Sequence, residues 1–247
     1  MFFLKWLLAL LLFFSFIHAE TLADAKNYIE NKQYQKALMI YQSYCDRSNP
    51  IACLSLGILY SDGKGVRQDY KSAATYLQKA CDGRVAMACR LLGAIYYDGK
   101  GEVKRDVNQG VELYEKACNG RDALSCLSAG ILYYDGKGGI LKDERKGIEL
   151  YEKACNGNIP FGCYLIGLLY YEGKGVKQDA DKAIELLKKA CDGSNSFACS
   201  KLGDIYASGQ NGVKQNLLTA KEYYGRVCDL GAQDGCDKYR DLNEKGY

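Results

Sequence analysis

Twelve cysteines fall into six pairs of identical C-x7-C spacing, 45/53, 81/89, 118/126, 155/163, 191/199 and 228/236. Successive pairs are displaced by 36, 37, 37, 36 and 37 residues. A fixed period in the mid-thirties marks a helical solenoid, whose units bury their apolar faces by stacking on one another. The spacing within each pair adds a second constraint. On one continuous helix the two cysteines would stand about 12 Å apart along the axis, beyond the roughly 7 Å Cα limit for a disulfide.

The rest of each unit shows how the chain turns back. After the second cysteine comes L-G-x-x-Y, as LGILY at 56–60, LGAIY at 92–96, AGILY at 129–133, IGLLY at 166–170 and LGDIY at 202–206. A glycine-rich loop follows, and then Asp69, Asp106, Asp143, Asp179 and Asn216 stand where a helix N-cap is wanted, since their side chains accept orphan amide bonds. The second helix runs to the next cysteine. Lys79, Lys116, Lys153 and Lys189 in its last turn suit the helix dipole. Gly83, Gly120, Gly157 and Gly193 are expected to supply a left-handed C′ stop. Pro50 and Pro160, three residues before their second cysteines, suit a first helical turn. The fold class is therefore all-α, a superhelical α/α solenoid. A single solenoid domain at 20–247 divides into an N-terminal helix pair at 21–47, repeats at 48–83, 84–120, 121–157, 158–193 and 194–231, and a capping helix at 232–247.

The first 19 residues, MFFLKWLLALLLFFSFIHA, carry one basic residue, Lys5, before an apolar run from Leu7 to Ile17 broken only by Ser15. Eleven residues are too few for a span, which needs about 20, but they suit a secretory leader cleaved after Ala19. A retained anchor is the other reading. No cysteine follows the cleavage position to take a lipid. The leader holds the only histidine (His18) and the only tryptophan (Trp6), so the mature chain has no Ser-His-Asp or Cys-His arrangement and no histidine for zinc. Net charge falls from +3 to +2 with Lys5. Acids and bases are interspersed, and no basic block points to nucleic acid. The expected location is periplasmic or extracellular, with no membrane partner once the leader is gone.

Even cysteine number, a leader and one spacing throughout predict six local disulfides, Cys45–Cys53, Cys81–Cys89, Cys118–Cys126, Cys155–Cys163, Cys191–Cys199 and Cys228–Cys236. A thiolate metal site needs four ligands converging, and each unit has two. No C-x-x-C redox motif occurs. Each small ring stabilises by about 2–3 kcal/mol in the chain-entropy model. One competing pairing remains, Cys53 with Cys81, at the two ends of one helical hairpin.

The motif A-C-x-x-L-G-x-x-Y-x-x-G-K-G-V … D … K-A … Y-x-K-A-C resembles the Sel-like repeats of the Helicobacter cysteine-rich proteins, over nearly the whole mature chain. The resemblance implies a right-handed α/α superhelix related to tetratricopeptide repeats, in secreted or periplasmic proteins. Several members are classed as penicillin-binding proteins or weak β-lactamases, and others as host-interacting factors. An enzyme here would by that resemblance be a weak β-lactamase, a hydrolase acting on β-lactams or peptidoglycan-like amides.

Counting each first helix from its second cysteine as zero, positions 0, 3, 4, 6 and 7 share one broad arc and are expected in the core. The glycine at position 4 fits a close approach of a neighbouring helix backbone. Positions 1, 5 and 8 lie on an adjoining arc and vary. In the second to fourth repeats they form an apolar, tyrosine-rich strip, and Arg90, Tyr97, Leu127, Ile131, Tyr134, Tyr164, Leu168 and Tyr171 are the candidate groove, expected on a concave face. Packing between repeats is the plainer account of the aliphatic members. Tyrosine, with an apolar ring and a wet tip, suits a half-exposed contact.

The D-G-K-G loops lack the frame and preceding strand of a phosphate loop, and the alternating oxygen ligands of a calcium loop. No metal or cofactor is expected. Ser61-Asp62-Gly63-Lys64 formally matches the S-x-x-K of serine β-lactamases, but no K-T-G accompanies it. Ser61 and Lys64 are thus weak catalytic candidates. The leading expectation is a scaffold holding a protein segment, from a host protein among others, or a cell-wall-derived peptide.

Overall fold

The computed structural model describes residues 20–247, and the leader lies outside the described residues. Among these residues there are thirteen α-helices and no strand, in two compact units, 20–83 and Arg84–Tyr247. The first unit holds α1 (Leu22–Glu30), α2 (Tyr34–Asp46), α3 (Pro50–Asp62) and α4 (Tyr70–Asp82). The second holds α5 (Ala86–Asp98), α6 (Val107–Asn119), α7 (Ala123–Asp135), α8 (Glu144–Asn156), α9 (Pro160–Glu172), α10 (Ala180–Asp192), α11 (Ser196–Ser208), α12 (Leu217–Asp229) and α13 (Gln233–Glu244).

Local chemistry sets the ends of these helices. The carboxylates of Asp69, Asp106, Asp143 and Asp179 and the amide oxygen of Asn216 accept backbone N–H bonds in the first turns of α4, α6, α8, α10 and α12. The backbone N–H of each cap returns to the carbonyl of the L-G-x-x-Y tyrosine, as in Asp106 to Tyr96 at 2.8 Å and Asp143 to Tyr133 at 2.8 Å. One residue thereby closes the loop and opens the next helix. Gly63, Gly99, Gly136, Gly173 and Gly209 end the first helices in the left-handed region, where a side chain costs roughly 1 kcal/mol or more. In the first four of these loops the acid and the lysine two residues on form an ion pair: Asp62–Lys64 2.7 Å, Asp98–Lys100 3.4 Å, Asp135–Lys137 2.5 Å and Glu172–Lys174 2.7 Å.

The glycines after the second helices act otherwise than expected. Gly83, Gly120, Gly157 and Gly193 have φ of −74°, −79°, −80° and −79°. The left-handed residue is the next one, at Arg84, Arg121, Asn158 and Ser194. The glycine is needed for room. A Cβ on Gly157 would sit 2.3 Å from that of Ala123, and one on Gly193 2.5 Å from Pro160.

Five disulfides join the ends of the turns, with Cα separations of 4.4–4.8 Å: Cys45–Cys53, Cys118–Cys126, Cys155–Cys163, Cys191–Cys199 and Cys228–Cys236. Cys81 and Cys89 are disulfide-bonded as well, and no cysteine is free. The bond from Cys53 to Cys45 excludes the competing pairing with Cys81.

The core follows positions 0, 3, 4 and 6, with Leu56 and Leu59 in the first unit and Leu92, Ile166, Leu202 and Ile205 in the second. The position-4 glycines accommodate a large side chain from the second helix before any backbone. A Cβ on Gly57 would meet Leu77 at 2.6 Å, on Gly130 Tyr151 at 2.9 Å, and on Gly203 Tyr224 at 2.5 Å. Only at Gly93 is a backbone atom nearest, the Gly110 carbonyl at 3.0 Å.

The position-7 tyrosines, expected in the core, are half-buried. The hydroxyls of Tyr133 and Tyr170 reach polar groups of the preceding repeat. Tyr133 donates to Glu115, which also accepts from Lys146 at 2.6 Å, while the Lys146 ammonium stands 3.9 Å from the Tyr133 ring centre. Tyr170 repeats the arrangement, donating to Glu152 at 3.2 Å beneath Lys182. Burial raises the Tyr133 hydroxyl above its ordinary range, and its bond to Glu115 adds to that. At Tyr133 and Tyr170 the position is thus a clasp between repeats, satisfied at its polar end.

Candidate binding surface

In the second unit, α5, α7, α9 and α11 bring positions 1, 5 and 8 to one side, and the candidate strip divides three ways. Ile131, Tyr134 and Leu168 line a cleft of about 490 Å³ between α7 and α9, together with Phe161, Leu165, Leu169 and Tyr151. Asp135, Lys137, Glu172 and Lys174 complete its lining, and all four are tied in the two loop ion pairs. The cleft is therefore apolar at its floor and carries neutralised charge at its edge.

A second group serves the packing of the repeats. Arg90 bonds through Nε to the Asp122 carboxylate at 3.1 Å, and Asp122 also caps α7 by accepting from the backbone N–H of Ser125. Tyr97 lies against Tyr114, ring centres 6.4 Å apart, and its Cβ faces Gly110. Leu127 is half-buried where two core clusters meet. Tyr171 is only 6% exposed. Lys201 lies over its ring, 4.8 Å from the centre, and Asn211 donates to its carbonyl at 3.2 Å.

Tyr164 belongs to a third feature, which the arc of positions 1, 5 and 8 leaves out. Position −2 is apolar in all five repeats and exposed in each: Ile51 in the first unit, and Met87, Leu124, Phe161 and Phe197 in the second. Position −2 lies three residues before position 1 and seven before position 5, so helical geometry puts all three on one face. The Tyr164 ring stands 5.7 Å from Phe161 and 6.1 Å from Phe197, bridging α9 to α11. Phe197 is 64% exposed. The signal was in the sequence, as an apolar residue in the first turn of every first helix.

Of the candidates Ser61 and Lys64, the lysine is engaged by a neighbouring acid. The Lys64 ammonium is held by Asp62 at 2.7 Å, and that bond raises its pKa, whereas a general base of this kind needs a lowered one. Among the described residues no group of three or more His, Cys, Asp or Glu could hold a metal. No helix there is long and apolar enough to cross a membrane.

Stacked, disulfide-linked helix pairs with an apolar face left open define a helical-repeat scaffold of the kind suited to protein interaction. The repeats match the Sel1 repeat model at residues 50–84, 86–122, 123–159, 160–195 and 196–231, and the chain belongs to the Sel1 repeat family. A protective antigen of uropathogenic Escherichia coli with an SLR fold is 25% identical, with a TM-score of 0.81 over 92% of this chain and 49% of its own. A Sel1 repeat protein from Oxalobacter formigenes is 25% identical, with a TM-score of 0.72 over 91% of this chain and 98% of its own. Cysteine rich protein B of Helicobacter pylori is 31% identical over 56% of this chain and 97% of its own, with a TM-score of 0.43. An uncharacterized Haemophilus influenzae protein is 65% identical over 33 residues, 13% of this chain and 64% of its own. The chain thus spans about half of the Escherichia coli antigen and under two thirds of the Haemophilus protein.

Proposed function

We propose that this protein is an exported binding scaffold that holds an extended segment of a partner protein, or a cell-wall-derived peptide, against the first helices of its repeats. The observation that carries the reading is the open cleft of about 490 Å³ between α7 and α9, whose apolar floor is bordered by internally paired charges. Contact area on such an array grows with each repeat, which suits an extended ligand. Export is supported by the disulfides, which persist in oxidising compartments, and by the leader-like residues 1–19.

The test is selection of peptides from a displayed random library on oxidised protein, followed by affinity measurement on Ile131→Glu and Leu168→Glu variants. Both positions are half-buried on the open face, so helicity by circular dichroism is expected to survive. The expected result is loss of peptide binding in either variant. Peptides that bind both variants as tightly as the parent would refute the placement.

A further inference from the structure

We infer that the cleft between α7 and α9 takes an uncharged aromatic side chain with an oxygen at its tip, a tyrosine of the bound segment, whose hydroxyl accepts a hydrogen bond from Tyr151. This rests on the binding reading above and names the side chain that the cleft receives.

The Tyr151 hydroxyl carries the inference. Tyr151, on α8, is only 3% exposed and lines the cleft. Its hydroxyl makes no hydrogen bond among the described residues, while no fully buried side-chain polar atom there lacks a partner. The tip of the ring therefore reaches open space, and the cleft is the space that this residue lines.

Packing does not call for that oxygen. The same register of the second helix holds Leu77 in one repeat and Leu187 in another, each lying against its position-4 glycine as Tyr151 lies against Gly130. Where the register holds Tyr224, the hydroxyl donates to Asp204 at 2.8 Å. Asp204 is position 5 of its first helix, and the position-5 residue beside Gly130 is Ile131, which also lines the cleft. A tyrosine in this register thus aims its hydroxyl at position 5, and in this repeat the chain puts no acceptor there. A wholly aliphatic occupant would cover the hydroxyl and leave it unsatisfied, which is costly. An occupant that brings an acceptor completes it.

The rest of the lining selects the remainder of the occupant. Tyr134 and Tyr151 stand 5.7 Å apart between ring centres, inclined at 45°, and Phe161 lines the same cleft. Such tilted rings favour a further aromatic neighbour. A charged group would lose its hydration against Ile131, Leu165 and Leu168, and the charges of the lining are already paired with one another. Burial, with the Asp135 charge adding to it, holds the Tyr151 hydroxyl protonated well above its ordinary range, so it stays a donor. A volume of about 490 Å³ falls within the range of small-ligand sites and admits a ring with the backbone that bears it.

The experiment titrates oxidised protein with p-cresol and, separately, with toluene, read by the amide shifts of α7 and α9 in proton–nitrogen NMR spectra, for the parent and for Tyr151→Phe. That substitution removes the oxygen and keeps the ring seated on Gly130, so thermal melting is expected to be unchanged. The expected result is saturable binding of p-cresol, tighter than that of toluene in the parent. In Tyr151→Phe the ratio of the two affinities is expected to move about tenfold towards toluene, the loss of one hydrogen bond. Toluene binding the parent as tightly as p-cresol would overturn the inference and leave an apolar cleft for the binding reading. A preference for p-cresol that survives Tyr151→Phe would overturn the role given to Tyr151. Shifts from neither probe, while library-selected peptides still need Ile131 and Leu168, would overturn the inference alone. Failure of the library as well would remove both.

Discussion

Gly203 gives the sharpest test of how these repeats pack. It lies inside α11, where alanine is worth about 1 kcal/mol more than glycine in helix propensity. A Cβ there would stand 2.5, 2.7 and 3.0 Å from three ring carbons of Tyr224. That ring has little freedom to yield, being 5% exposed, with its hydroxyl donating to Asp204 at 2.8 Å. Overpacking of this kind costs about 1–3 kcal/mol, and three short contacts with a pinned ring put it near the upper end. Gly203→Ala is therefore expected to destabilise by about 2 kcal/mol net, lowering Tm by roughly 4–8 °C for a chain of this length. Gly225, inside the adjoining α12, is the control. A Cβ there meets only Tyr239, at 3.3 and 3.4 Å, and that ring is 40% exposed and able to swing away. Gly225→Ala should raise Tm by roughly 2–4 °C, through propensity alone. Thermal melting followed by circular dichroism on oxidised protein reads both. A Gly203→Ala protein melting at or above the parent, or both variants shifting the same way, would refute the argument that the glycine exists to seat Tyr224.

Two further outcomes are expected. Cys228 and Cys236 are half-buried while the other ten cysteines are buried, so graded reduction with a phosphine, then alkylation and peptide mapping, should label this pair first and raise hydrogen exchange in α13; earlier labelling of any other pair would contradict it. Alkali should destabilise through the buried tyrosines: burial pushes Tyr114 up to about 12 from 10.0, so its contribution is whole below pH 10 and is lost as pH rises through about 12. Tyr114→Phe should flatten this limb of the urea-midpoint curve, by on the order of 2 kcal/mol, and an unchanged limb would show that the hydroxyl reaches water.

What the sequence disclosed and what it withheld divide by the range over which each feature is specified. The disulfide register, the N-caps at Asp69 to Asn216 and the loop glycines are fixed within a few residues of chain, and spacing alone reveals them. Gly157 was misread because its reason is Ala123, a residue of the preceding first helix that only the packed structure brings to 2.3 Å. Tyr171 looked equivalent to Tyr97 and Tyr134, yet it is buried because Lys201 and Asn211 reach it from 30 and 40 residues further along the chain. The clasp of Tyr133, Glu115 and Lys146 likewise joins residues 18 and 31 positions apart, and no single repeat contains it.

The open face shows the converse. Its signal at position −2 was local and periodic, but a first-turn residue lies just outside the stretch that begins at the second cysteine. A solenoid residue's exposure depends on whether the neighbouring repeat covers it, so equivalence of position in the repeat does not guarantee equivalence of environment. Phe197 makes the point: it holds the same register as Phe161 and is nearly twice as exposed, at 64% against 36%. The ring of Tyr164 stands between the two. The part of an apolar side chain that stays in water at one position of every repeat gains nothing for packing, and its favourable free energy is realised only when another surface covers it. That is the physical ground for placing a partner on this face.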